Sequence, residues 1–150
     1  MSSAKLEHPL LRSATQCRVS RISPGDTNKF AMLVDPLSDR TPFVAALEIF
    51  EVDGRTPPHF HAQAHEMFYV LSGSGRAHCQ GKTYDLAQGD ALVLPPGAEH
   101  VIENTGSTPL YCLTVMVPNE GFAEMIRDGQ PMALDGTDRA TIIGQPDSVS

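Results

Sequence analysis

His59, His61, His65, Glu66, His78 and His100 are the residues of this 150-residue chain whose types and spacing could do chemistry. Five of the six histidines fall between Gly54 and Asn104. Imidazoles and carboxylates bind metal ions, and His59 and His61 stand two residues apart. In an extended chain such a pair points to one face, about 7 Å apart along the strand, and can converge on one ion at about 2.0–2.2 Å. Pro57 and Pro58 stiffen the approach and disfavour a helix, which argues against His61 and His65 as a helical zinc pair. Glu66 lies five residues beyond His61, an odd separation, so the two share a face only if the backbone bends at Ala62, Gln63 and Ala64. A continuous strand would instead group His59, His61 and His65 and send Glu66 away. Parity leaves both arrangements open.

The elements that must position these side chains are short strands. Residues 16–22, 30–35, 43–52, 66–71, 76–80, 91–94, 100–104 and 110–117 are apolar or alternating runs separated by Gly, Pro or Asn. Short strands at regular spacing predict an all-β sandwich or barrel. In 43–52, Leu47 and Ile49 alternate imperfectly against Glu48 and Glu51. Past Pro118 the period becomes helical: Phe122, Met125 and Ile126 share a face, Asn119 is a candidate cap and Gly129 a stop, which predicts one short helix at about 119–128. The organisation expected is an N-terminal arm at 1–15, a barrel at 16–118, and a helix with a draped tail at 119–150 packed on the barrel.

Length and 41% hydrophobic content allow one domain with a closed core. A net charge of -7, with only Lys5, Lys29 and Lys82 as lysines, argues against nucleic acid as a partner. Cys17, Cys79 and Cys112 lack C-x-x-C spacing and fit neither a disulfide framework nor a thiolate zinc site. No leader-like or membrane-spanning apolar run is present, so a cytoplasmic protein without a membrane partner is the expectation.

Gly54, His59, His61, Glu66 and Gly73 resemble the first motif of the cupin superfamily, and Gly89, Pro95, Gly97, His100 and Asn104 stand at the spacing of its second. One departure is a spacing between Gly54 and His59 that is one residue shorter than the commoner form. The resemblance implies a double-stranded β-helix, the jelly-roll barrel, holding one divalent transition metal ion on His59, His61, Glu66 and His100. Three imidazoles and a carboxylate suit Mn, Fe, Ni, Co or Zn better than a calcium or a soft copper site. Gly97 would allow the turn that presents His100.

Phe68 and Val70 share parity with Glu66 and are expected to line a substrate pocket, with Tyr69 facing away. Arg76 and His78 share another strand face; they are candidate pocket residues, with a solvated face as the alternative. The function expected from the resemblance is a metal-dependent enzyme of dioxygenase-like type acting on a small chelating organic substrate, with Glu66 able to act as a base. A non-redox isomerase, lyase or decarboxylase is one alternative, and a non-catalytic module binding a small ligand or carbohydrate is another. The family also implies a homodimer, for which the strand at 16–22 is a candidate contact.

Overall fold

Apolar runs between Gly and Pro punctuation form ten strands among the described residues, which are 5–144 of a computed structural model. They are β1 (Val19–Arg21), β2 (Asn28–Val34), β3 (Val44–Phe50), β4 (His65–Ser72), β5 (Ser74–Cys79), β6 (Lys82–Ala87), β7 (Ala91–Leu94), β8 (His100–Asn104), β9 (Leu110–Val117) and β10 (Gln130–Pro131). Three α-helices accompany them, α1 (Pro36–Asp39), α2 (Phe122–Arg127) and α3 (Gly136–Ile143), with a single 3-10 turn at Ala14–Gln16. The strands build a seven-stranded sheet ordered β10-β1-β2-β3-β9-β4-β7 and a three-stranded sheet ordered β6-β5-β8. All the pairings are antiparallel.

The two sheets face each other across an apolar core. Phe50, Phe68, Val70, Leu110 and Cys112 of the larger sheet meet Ala77, Leu86 and Ile102 of the smaller one. Towards one end, Phe30, Met32, Val44 and Met116 pack against Ala123 and Ile126 of α2. A third cluster lies on the outer face of the larger sheet, where Val19, Ala31 and Leu47 are covered by Met132, Leu134 and Ile142. Every residue of β3 is therefore buried, because the sheet is covered on both faces there. Its inward set is Ala46, Glu48 and Phe50, so the alternation read from Leu47 and Ile49 marks the outer face.

The C-terminal region carries more structure than a draped tail. β10 pairs with β1, and α3 follows. Asp135 and Asp138 form a capping box at the start of α3, and Gly144 ends it in the left-handed region. Asp138 also reaches the sheet, accepting hydrogen bonds from Lys29 and, at 2.8 Å, from the Tyr111 hydroxyl. Residues 145–150 of the expected tail, like 1–4 of the arm, lie outside the described residues. α2 is shorter than 119–128: Gly121, not Asn119, occupies the N-cap, although Asn119 Oδ1 still accepts the Ala123 N–H at 2.7 Å. β6 escapes sequence reading because Leu86 is its only buried residue, so it shows no alternation.

Cys79 and Cys112 are buried free thiols, and Cys17 is a half-buried one. No described helix is long and apolar enough to cross a membrane.

Candidate metal centre

The segment from Gly54 to His59 runs antiparallel to β8. Gly54 accepts from the Asn104 N–H, Thr56 exchanges hydrogen bonds with Ile102, and His59 and His100 exchange both backbone bonds. Pro57 and Pro58 cannot donate to such a ladder, and the register slips by one residue between the Arg55–Glu103 and His59–His100 pairs. The turn before β8 is clipped to the same segment, since the Gly97 N–H donates to the His61 carbonyl at 2.7 Å. Gly97 has φ +80, the left-handed region that other residues enter at a cost.

Glu66 arrives from the other sheet. The backbone bends at Ala62 and Gln63 before β4 begins, which resolves the parity question. Glu66 points inward between Leu94 and Met116 and is 3% exposed, whereas His65 opposite Val117 faces solvent. The Gln63 N–H donates to Glu120 and so ties the bend to the segment before α2.

One nitrogen or oxygen from each of His59, His61, Glu66 and His100 lies within 4.8 Å of the others. The ring centroids of His59 and His100 are 4.3 Å apart, and those of His59 and His61 5.0 Å. His59 Nδ1–H donates to the Pro57 carbonyl at 2.8 Å, and His100 Nδ1–H to the Ala98 carbonyl at 2.9 Å. Those bonds fix the tautomer and turn each lone-pair-bearing Nε2 into the cluster, the arrangement metal-ligating histidines use. His100 Nε2 then sits 3.1 Å from Glu66 Oε1. Two acceptor atoms at that distance need a proton or a cation between them.

His61 Nε2 is a buried atom without a hydrogen-bond partner, although Glu66 Oε1 is 3.4 Å away. A buried orphan nitrogen is costly in a finished core and is explained by a ligand that satisfies it. Burial lowers the affinity of His59 for a second proton, which favours the neutral, ligating form. The Glu66 carboxylate raises that of His61. Burial alone would raise the carboxyl of Glu66, but His100 and His61 outweigh it and hold the group below its usual range. The donor set and its electrostatics fit a divalent transition metal ion.

A cavity of about 450 Å³ opens onto this cluster. Phe68 lines it as parity suggested, together with Phe30, Phe60, Phe122 and Met125. Val70 does not: it belongs to the closed core between the sheets. Arg76 and His78 also lie elsewhere, on the outer face of the smaller sheet, because Ala77 between them takes the inward position. Arg76 pairs with Asp85 at 3.0 Å, and His78 Nε2 lies 2.7 Å from Glu103. Tyr69 faces away from the cavity and is exposed.

Among the cavity residues outside the set expected from sequence, one is a buried acid. Glu48 on β3 is 3% exposed and lines the same cavity. Burial, and then the charge of Glu66, push its carboxyl well above the usual range. The signal available in sequence was a single acid inside an apolar run, FVAALEIF, which strand alternation assigned to the solvent side.

Residues 46–116 match the sequence profile of the cupin domain. Over 59 residues the chain is 39% identical to the oxalate-binding protein of Thermotoga maritima, a stretch covering 39% of this chain and 49% of that protein. Over 121 residues it is 29% identical to (S)-ureidoglycine aminohydrolase of Escherichia coli, covering 78% of this chain and 46% of that one. The chain thus matches about half the length of these curated relatives. Among solved structures, a predicted oxalate decarboxylase from Thermotoga maritima superposes with a TM-score of 0.66 at 25% identity, over 73% of this chain and 99% of the other.

Proposed function

This chain belongs to the cupin superfamily, and on that premise we propose that it is a metal-dependent enzyme acting on a small chelating organic substrate, with dioxygenase-like turnover as the leading reading. The observation that carries the proposal is the convergence of His59, His61, Glu66 and His100 at the floor of an apolar cavity, with His61 Nε2 otherwise unsatisfied.

His59, His61, Glu66 and His100 would hold the ion. When bound, a divalent transition metal supplies Lewis-acid polarisation of substrate oxygens and, for iron or manganese, redox chemistry. The chain's own residues do the rest. The Pro57 and Ala98 carbonyls hold the two Nδ1–H groups and keep both imidazoles oriented. Phe68 and Phe122 exclude water from the substrate's body, which strengthens electrostatic interactions in the cavity. Glu66, the one carboxylate of the cluster, is the base for a substrate proton.

A second, non-redox reading is favoured by the likeness to (S)-ureidoglycine aminohydrolase, because that name describes hydrolysis. Oxygen uptake separates the two readings. Protein loaded with Fe(II) or Mn(II) is screened with 1,3-diketones, catechols and flavonols. Uptake with one class, lost in His59→Ala, is the result expected. Turnover of ureidoglycine or oxalate without oxygen uptake would replace it with the non-redox reading. The proposal includes a homodimer, supported by the exposure of Tyr69, Val93 and Val117 on the outer face of β4, β7 and β9.

A further inference from the structure

Glu48 is an unusual residue to find where it is. It lies in the middle of β3, opposite Phe30 on β2 and Cys112 on β9, with Ala46 and Phe50 as its inward neighbours along the strand. A site that served packing alone would hold an apolar side chain there. Its carboxyl is met by Asn28 Nδ2, 3.3 Å from Oε2, and by the fully buried Thr114 on the adjacent strand. A buried carboxyl with so few polar neighbours is completed by a hydrogen-bonding group in the cavity that it lines.

The same cavity therefore has two polar places. One is the four-residue cluster; the other is Glu48 with Asn28, and Phe30, Phe68 and Phe122 supply the apolar wall. We propose that Glu48 is a second anchor of the cavity, holding the distal polar end of a small bifunctional ligand whose other end chelates at the His59–His61–Glu66–His100 cluster. This rests on the metal-dependent reading above and narrows it to a substrate class.

Charge sets what that distal end is. Asp26, Glu48, Glu66 and Glu120 are the acids that line the cavity beside the histidines, Glu48 and Glu66 being the buried ones, while its one cationic side chain, Arg55, is exposed at the rim. A carboxylate or phosphate at the Glu48 end would be desolvated with no cationic side chain beside it to pair with, since Arg55 is at the rim. A neutral hydroxyl, ketone or carboxamide can instead exchange hydrogen bonds with the Glu48 carboxyl. The volume of about 450 Å³ and the phenylalanine wall suit a planar body of one or two rings. The ligand class is thus a small, largely apolar chelator with two adjacent oxygens at one end and a neutral hydrogen-bonding group at the other.

Catechol probes on Fe(III)-loaded protein test this through the charge-transfer absorbance of the bound catecholate, a readout independent of turnover. The panel is catechol, 3,4-dihydroxybenzamide and 3,4-dihydroxybenzoate, titrated into wild type, Glu48→Gln and Glu48→Leu. Wild type is expected to bind the benzamide about tenfold more tightly than catechol, and the benzoate no more tightly than catechol. Glu48→Gln keeps the benzamide preference, because an amide still donates and accepts. Glu48→Leu loses it while binding iron and plain catechol within about twofold of wild type. A benzamide preference that survives in Glu48→Leu, or the absence of any preference in wild type that does bind catechol, overturns the anchor. No absorbance change with any catechol in iron-loaded wild type removes the metal-dependent reading itself, and the anchor falls with it.

Discussion

Glu66 and His65 are neighbours in sequence with opposite fates, and the metal reading depends on which of them faces inward. Glu66 is buried against His100 and His61, while His65 faces solvent. Glu66→Gln is expected to weaken metal retention by about tenfold or more, and His65→Ala by less than about twofold, in a chelator-competition titration. The reverse order would make His65 the ligand. Glu48 carries a different prediction. Its carboxyl is held well above the usual range by burial and by Glu66, so the folded protein keeps that proton more tightly than the unfolded chain. Its effect on stability is nil below the unfolded value of about 4.3 and grows more unfavourable as pH rises towards the folded value. Glu48→Leu should therefore gain roughly 1–3 kcal/mol at about pH 8 and less at about pH 4.5, read by urea denaturation. Equal gains at both pH values would contradict the assigned protonation. The histidines of the site were legible from residue type and spacing. Glu48 was not, because alternation within one strand cannot reveal that a sheet is covered on both faces.

At the scale of elements, a turn holds the site and a clamp holds the C-terminal helix. The turn through Gly97 hangs on the His61 carbonyl and adopts φ +80. Gly97→Ala meets open space for its Cβ, so strain alone is at issue. It is expected to cost about 1–2 kcal/mol and to weaken metal retention, and unchanged thermal stability would sink that account of the turn. The clamp is Asp138, which joins the start of α3 to Lys29 and Tyr111. Burial works to raise its carboxyl, but Lys29, the Asp135 backbone and Tyr111 outweigh it and hold it below the usual range. Its contribution is present above the unfolded value of about 3.9 and fades as pH falls through the lowered folded one. Asp138→Ala should destabilise by roughly 2–4 kcal/mol at about pH 7 and expose the C-terminal segment to limited proteolysis. Wild-type protease resistance would refute the clamp. Most strands could be read from their punctuation, whereas α3 is pinned chiefly by Asp135 and Asp138, polar contacts that no apolar period announces.

For the whole molecule, the barrel leaves β7 as one edge of the larger sheet, with Val93 61% exposed. If copies of the chain associate through that outer face, Val93→Glu should convert a dimer to a monomer in light scattering while leaving metal binding intact; a wild-type monomer would contradict the dimer. The fold's larger consequence is to bring residues from both motifs to one point: the segment carrying His59 and His61 is laddered to β8, which presents His100, and β4 of the other sheet delivers Glu66. The family resemblance carried that much. It did not carry the covering of the outer face or the second polar place in the cavity, both of which depend on packing between distant segments. Metal analysis of protein purified from its native host tests the central claim most directly. About one transition metal ion per chain is expected, with less than about a tenth of that in the double variant His59→Ala, His100→Ala. A metal-free native protein, or full metal content in the double variant, would contradict it.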